Sequence, residues 1–293
     1  MQGLTLAKPK RLTIRFTVVA IFIFATLFTA SVAISLQYYF GQRLATESSL
    51  RLYNQSANST ARYLNQLDSQ ASNTTKLVAN FESLYTPMGL TNAAKQVFSQ
   101  AMRSANFIYS IYLGSPDGEM FELVNLDAHP IVRRQLKASL EDRWVIISIQ
   151  GKGKGRIRAF HYLDAEFKQR TSRMEPTDYD ASIRPWFIDA RRDKVFKTEP
   201  YLFQNLQAPG ITYSIRLPDS DTVLAVDVAL SSLDDYLIQL GSGDETAREV
   251  YVYRASGDLV ASNRQRDDEP IHALAALDEL EAMNIKCVEK IVE

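Results

Sequence analysis

The densest chemistry in the sequence lies in Tyr179-Asp180-Ala181-Ser182-Ile183-Arg184-Pro185-Trp186-Phe187-Ile188-Asp189-Ala190. Here a guanidinium and an indole flank one proline. Proline pins the local backbone and biases the residue before it toward an extended conformation. Side chains on an extended backbone alternate with period two, so Arg184 and Trp186 are expected to point to the same side. An arginine fork beside an aromatic wall is a receptor for a carboxylate, and Tyr179 adds a hydroxyl and a second ring.

A second residue stands out for the opposite charge. Asp227 sits within Leu224-Ala225-Val226-Asp227-Val228-Ala229-Leu230, where a carboxylate is costly unless something pairs with it. An amino acid carries opposite charges close together, and Arg184 with Asp227 supplies one partner for each. Two plainer readings stand beside this one. Arg184 and Asp227 form a buried ion pair with no ligand, or Pro-Trp-Phe is core packing and only the two charges face a pocket.

Catalytic and metal patterns are weak. Ser172 and Ser182 lie in no nucleophile elbow. The acid pairs Asp178/Asp180 and Asp234/Asp235 lack calcium-loop spacing and read as turn and helix-cap acids. His129, His161 and His272 match no metal-ligand spacing, and a single cysteine, Cys287, permits neither an intrachain disulfide nor a cysteine cluster. Gly151-Lys152-Gly153-Lys154-Gly155 has backbone amides for a phosphate but not the order of a P-loop, so it reads as a solvated turn. The expectation is a protein that is not an enzyme and needs no cofactor or metal.

These side chains need strands to hold them. Phe107–Leu113 and Glu119–Val124 flank the turn Ser115-Pro116-Asp117-Gly118 and read as a hairpin. Trp144–Ser148 and Arg156–Tyr162 flank the glycine–lysine loop. Ile211–Leu217 and Thr222–Leu230 flank Pro218-Asp219-Ser220-Asp221, and Ser231–Leu240 reads as a helix. Thr91–Ser104 is a short helix with Thr91 as N-cap, and Arg133–Glu141 is a charged helix or loop. A second aromatic hairpin, Val250–Tyr253 and Leu259–Ser262, returns late in the chain. It indicates two related modules or one large mixed sheet.

The 293 residues carry 33 basic and 34 acidic side chains, a net charge of -1 that gives no global field for nucleic acid. The charges are absent from one place. From Phe16 to Gln42 no residue is charged, and Val18–Phe28 is almost wholly apolar. About 20 such residues span a bilayer core. Gln37-Tyr38-Tyr39-Phe40 suits an aromatic belt, and Lys8, Lys10, Arg11 and Arg15 precede the run, which keeps the N-terminus in the cytoplasm. A cleaved signal peptide ending near Ala30-Ser31-Val32-Ala33 is the competing reading, and the apolar run is long for it. Beyond it, residues 44–81 contain neither Gly nor Pro. Leu50, Tyr53, Ala57, Thr60, Leu64, Leu67, Ala71, Thr74, Val78 and Phe81 follow a heptad-like stripe, which predicts a long helix that pairs with a second copy or lies along its own domain.

Tyr-Asp-x-x-x-Arg-Pro-Trp-Phe-x-x-Ala resembles the signature of double Cache (dCache) sensor domains, the extracytoplasmic ligand-binding parts of bacterial receptors. The order of membrane helix, long helix, hairpin, signature, Glu199-Pro200-Tyr201 and a strand with Asp227 is similar too, over residues 44–265. The resemblance implies an α+β fold. It has a cytoplasmic segment 1–15, a transmembrane helix 16–42, a stalk helix 43–84, a membrane-distal PAS-like module 85–232 with an antiparallel sheet, and a linker with an incomplete membrane-proximal module 233–293. In the amino-acid and amine subset, arginine and tryptophan hold the ligand carboxylate, and a later tyrosine and aspartate hold its ammonium. That carries over to Tyr179, Arg184, Trp186, Tyr201 and Asp227. Phe187 stands where the subset has tyrosine, losing a hydroxyl but keeping an aromatic wall.

The resemblance implies a single-pass sensor of the bacterial inner membrane, its bulk periplasmic, binding an amino acid, amine or small carboxylate and forming a homodimer through its membrane and stalk helices. Such receptors usually return through a second membrane helix to an output domain. Here Met283–Glu293 reads as a tail, so the sequence also allows a truncated receptor that acts as a non-sensing scaffold for a full-length one.

Overall fold

The computed structural model describes residues 14–203, 209–241, 250–253 and 259–263. Lys8, Lys10 and Arg11, the turn at 254–258, the stretch at 272–277, Cys287 and the Met283–Glu293 tail lie outside the described residues.

The described residues begin with α1 (Ile14–Ala79), and the chain divides into two compact units at Ser59 and Thr60. In the first unit every described residue up to 55 is exposed, including Phe16, Phe22, Phe24, Leu27 and Phe28. The run contains a stretch long and apolar enough to cross a membrane. Its hydroxyls are turned inward: Thr26 donates to the Phe22 carbonyl at 2.7 Å and Thr29 to the Ala25 carbonyl at 2.8 Å. Hydroxyls bonded back to the helix suit a medium that offers no other partner.

The second unit is α+β. The rest of α1 buries Thr60, Leu67, Ala71, Thr75, Val78 and Ala79. The expected stripe is buried at Thr60, Leu67, Ala71 and Val78 but drifts toward its end. Thr75 and Ala79 are buried where Thr74 and Phe81 stood in the heptad, and Phe81 lies beyond the helix, exposed. An unsupercoiled helix turns every 3.6 residues, so a strict heptad rotates off its seam.

Two short strands follow, β1 (Tyr85–Thr86) and β2 (Gly89–Leu90), and then α2 (Asn92–Ser104). The Thr91 hydroxyl caps α2 by accepting from the Ala94 N–H at 3.1 Å. Ala94, Phe98 and Met102 recur every fourth residue and form its buried stripe.

One nine-stranded sheet dominates. Its strands are β3 (Ile108–Gly114), β4 (Met120–Asn125), β5 (Trp144–Gln150), β6 (Ile157–Leu163), β7 (Gln169–Pro176), β8 (Phe196–Lys197), β9 (Tyr201–Leu202), β10 (Pro209–Arg216) and β11 (Val223–Ala229). The order is β7-β6-β5-β4-β3-β11-β10-β8, every pairing antiparallel, with β9 also on β10. Short helices α3 (Pro130–Gln135) and α4 (Pro185–Ile188) sit in the connections. After β11, α5 (Ser231–Gly241) leads to the separate hairpin β12 (Tyr251–Tyr253) and β13 (Leu259–Ser262).

Side-chain alternation divides the large sheet into two faces. On one, Ile108, Ile111, Leu113, Leu123, Leu224 and Val226 pack against Leu67, Ala71, Ala94, Phe98 and Met102 of the helices. On the other, Tyr112, Met120, Ile149 and Ala225 meet Ala181 and Trp186 of the 179–190 segment. The late hairpin packs Val252 and Ala261 on Leu233 and Leu237 of α5 and on Tyr63 and Leu64 of α1.

Candidate ligand-binding site

The 179–190 segment is held by a residue that the sequence reading placed only at the start of a strand, with no role of its own. Arg156, 5% exposed, donates to the Tyr179 carbonyl at 2.9 Å and the Asp117 carbonyl at 3.0 Å, and pairs with Asp180 at 2.9 Å. Asp180 in turn accepts from the Ser182 N–H at 2.9 Å and starts a 3-10 turn over Ala181–Ile183. The β3–β4 turn completes the anchor, because the Gly118 carbonyl accepts from the Ala181 N–H at 3.2 Å. Gly118 has φ +81, a conformation that glycine adopts without strain.

Proline acts differently from the expectation. Arg184 is extended, with φ -84 and ψ 145, as a residue before proline should be. Pro185, however, is the first residue of α4, a position proline favours, so Trp186 is helical and the period-two argument does not apply. Arg184 and Trp186 reach the same cavity because the chain turns. The Ser214 hydroxyl holds the Trp186 carbonyl at 2.7 Å, and a Cβ at Gly114 would collide with the indole. Glycine at 114 is what lets the ring lie on the sheet.

The result is a cavity of about 180 Å³. Tyr179, Arg184, Trp186, Tyr201 and Asp227 all line it. Phe187 does not: its buried ring packs 5.8 Å from Trp186 and 5.3 Å from the Arg216 guanidinium. Tyr112, edge-on to Trp186 at 4.9 Å, Phe203 and Tyr109 are further aromatic walls. Tyr201 sits at the rim, 37% exposed.

Asp227 is 6% exposed and fully engaged on one oxygen. Oδ1 accepts from Thr212 at 2.6 Å and from Tyr112 at 2.9 Å, and the Tyr201 hydroxyl lies 2.6 Å from Thr212 Oγ1. Burial pushes the Asp227 carboxyl up to about 8; the nearby Glu122 carboxylate adds to this, while the Thr212 and Tyr112 hydroxyls oppose it. Arg184 makes no ion pair among the described residues. Its guanidinium lies 4.3 Å over the Tyr179 ring, and its buried Nε has no hydrogen-bond partner. The reading of Arg184 and Asp227 as a mutual ion pair therefore does not describe this structure.

Four polar lining residues escaped the sequence reading: Tyr109, Tyr112, Glu122 and Arg158. Glu122 carried the same signal as Asp227, a lone carboxylate in the apolar run Met120-Phe121-Glu122-Leu123-Val124. Tyr109 carried none. It is the extra residue of a β-bulge, since Ile108 faces Val228 and Ser110 faces Asp227, and the bulge puts it on the cavity side.

No family model matches the chain, and no curated protein matches it. Similar solved structures include the ligand-binding domain of the Campylobacter jejuni chemoreceptor Tlp3 in complex with 4-methylisoleucine, at 18% identity, TM-score 0.44, over 72% of this chain and 69% of that one. The same domain in complex with L-valine gives 19%, 0.43, 72% and 71%. The ligand-binding domain of the Pseudomonas fluorescens chemoreceptor CtaA in complex with L-alanine gives 17%, 0.39, 78% and 73%. At these identities and TM-scores the cavity's own residues carry the functional reading.

Proposed function

We propose that the chain is a double Cache sensor whose cavity binds a free amino acid. The observation that carries this reading is the pair of separated opposite charges lining one cavity. Arg184 has a buried, unpartnered donor, and Asp227 is buried with no cation paired to it among the described residues. An α-carboxylate on Arg184 and an α-ammonium on Asp227 would satisfy both, in surroundings where charge-assisted hydrogen bonds are strong. Trp186 and Tyr179 would wall the carboxylate end, and Tyr201 and Thr212 would hold Asp227 in place.

Two paths lead from the site to α1, each running along the chain and ending in one noncovalent contact. In β10, Thr212 bonds Asp227 on one face of the sheet, and its neighbour Tyr213 donates to Asp68 of α1 at 2.8 Å on the other. In β11, Asp227 lies just before α5, whose Tyr236 stacks on Tyr63 of α1 at 3.9 Å. Ligand that closes the cavity would shift the balance of these contacts and so the set of α1, a population shift between existing states. The apolar part of α1 is assigned to the membrane, with the N-terminus cytoplasmic and residues 44–293 on the periplasmic side. Residues 85–232 form the distal module, α5 links it onward, and the β12–β13 hairpin belongs to a proximal one.

The test is a thermal-shift screen of the full chain in detergent against amino acids, amines and small carboxylates. A ligand that binds only the folded state raises the melting temperature. Amino acids are expected to raise it, and a screen with no amino-acid hit would count against the assignment.

A further inference from the structure

The amino-acid reading uses Arg184 and Asp227 and leaves three buried polar residues of the same cavity without a task. Glu122 is 4% exposed, Arg158 8% and Tyr109 1%. The Arg158 Nε and the Tyr109 hydroxyl have no hydrogen-bond partner among the described residues. Glu122 makes no ion pair among the described residues, because the Arg158 guanidinium reaches out to Glu175 at 3.6 Å instead. Buried polar groups in native proteins are almost always satisfied, so a group of them on one cavity wall points to a ligand.

Their position extends the zwitterion site along the sheet. Asp227 is on β11, Tyr109 on β3, Glu122 on β4 and Arg158 on β6, all on the cavity side. Arg158 and Arg184 lie against the same ring, 6.0 and 4.3 Å from the centre of Tyr179. Met120 and Ile149, also in the lining, give an apolar surface on which a short methylene stem can lie. The tip that follows the stem meets an acceptor in Glu122 and donors in Arg158 and Tyr109.

Resting on the amino-acid reading above, we propose that Glu122, Arg158 and Tyr109 form a second polar subsite that selects an amino acid with a neutral carboxamide side chain. A carboxamide donates through its NH2 and accepts through its oxygen, which matches a carboxylate beside a guanidinium. A carboxylate tip would meet the repulsion of Glu122, and an ammonium tip that of Arg158. An aliphatic tip would leave the Arg158 Nε and the Tyr109 hydroxyl without partners and give Glu122 nothing beyond Ser110.

The experiment is titration calorimetry of the full chain in detergent with L-glutamine, L-alanine, L-leucine, L-glutamate and L-lysine. L-Glutamine is expected to bind about 10-fold or more tighter than each of the others, the effect of satisfying rather than stranding buried polar groups. In Glu122→Met the ratio of glutamine to alanine affinity is expected to fall toward one. Glutamate or lysine binding tightest would overturn the carboxamide assignment while upholding the amino-acid reading. So would leucine matching glutamine, or a ratio unchanged in Glu122→Met. If none of the five binds, the amino-acid reading itself fails and the subsite with it. The ligand series on the unaltered chain decides the matter even if the variant does not fold.

Discussion

The two faces of the large sheet have the same strands and opposite characters. The helix face is closed by aliphatic and aromatic packing, and Phe98, Ile108, Ile111, Leu123 and Leu224 are all 0% exposed. Trp144 leaves one polar atom unpartnered on that face, yet it does not line the cavity. The other face gathers Asp227, Glu122, Arg158 and Arg184 around one cavity. Tight apolar packing is the general solution to stability. Buried charge without an internal counter-charge is a local cost, and proteins keep it where a ligand supplies the partner.

The comparison can be broken at either face. Phe98→Ala is expected to cost about 3–5 kcal/mol of stability by opening a void under the helices, read as a loss of melting temperature, without changing which ligand is preferred. Arg184→Ala should do the reverse, lowering amino-acid affinity about 100-fold or more by calorimetry, because the carboxylate loses a charged, bidentate partner. Its melting temperature without ligand should stay close to that of the unaltered chain, since Arg184 makes no ion pair to lose. Gly114→Ala touches both faces of the argument: the indole must move, costing about 1–3 kcal/mol and weakening ligand binding together.

A smaller effect sharpens the picture through pH. Asp227 is ordinarily 3.8 and is raised to about 8 in the fold, so the folded state binds more protons across that window. Its contribution to stability is therefore fully present below about pH 4 and is lost as pH rises through about 8. Asp227→Asn should flatten this slope in melting temperature measured across the window. Ligand ammonium needs the ionised carboxylate, so affinity should rise with pH toward 8, with proton release on binding.

The legible parts of the sequence were those with local chemistry. The Ser115–Gly118 turn, the Thr91 cap and the alternating strands near Asp227 depend on neighbours in the chain, and the structure contains each. Arg184, Trp186 and Asp227 were legible as lone polar or bulky groups in settings that need a reason for them. Glu122 and Arg158 were legible by the same logic and were passed over. Three features were not legible. The bulge that turns Tyr109 inward depends on how β3 registers with β11. The strand β7 is polar, six of its eight residues Gln, Arg, Thr, Ser, Arg and Glu, because it is an exposed sheet edge. The route by which Arg184 and Trp186 converge follows from Pro185 opening a helix rather than continuing an extended segment.

The central claim is that one molecule spans Arg184 and Asp227 with both of its charges. Calorimetry on the full chain with an amino acid and with its two single-charge analogues tests this most directly. L-Glutamine and L-alanine would each be compared with the amide of the same acid, which lacks the carboxylate, and with the deamino acid, which lacks the ammonium. The account predicts binding by at least one amino acid and a loss of about 100-fold or more for each of its analogues. An analogue that binds as tightly as its parent would contradict it, because one of the two charges would then have no role in the site.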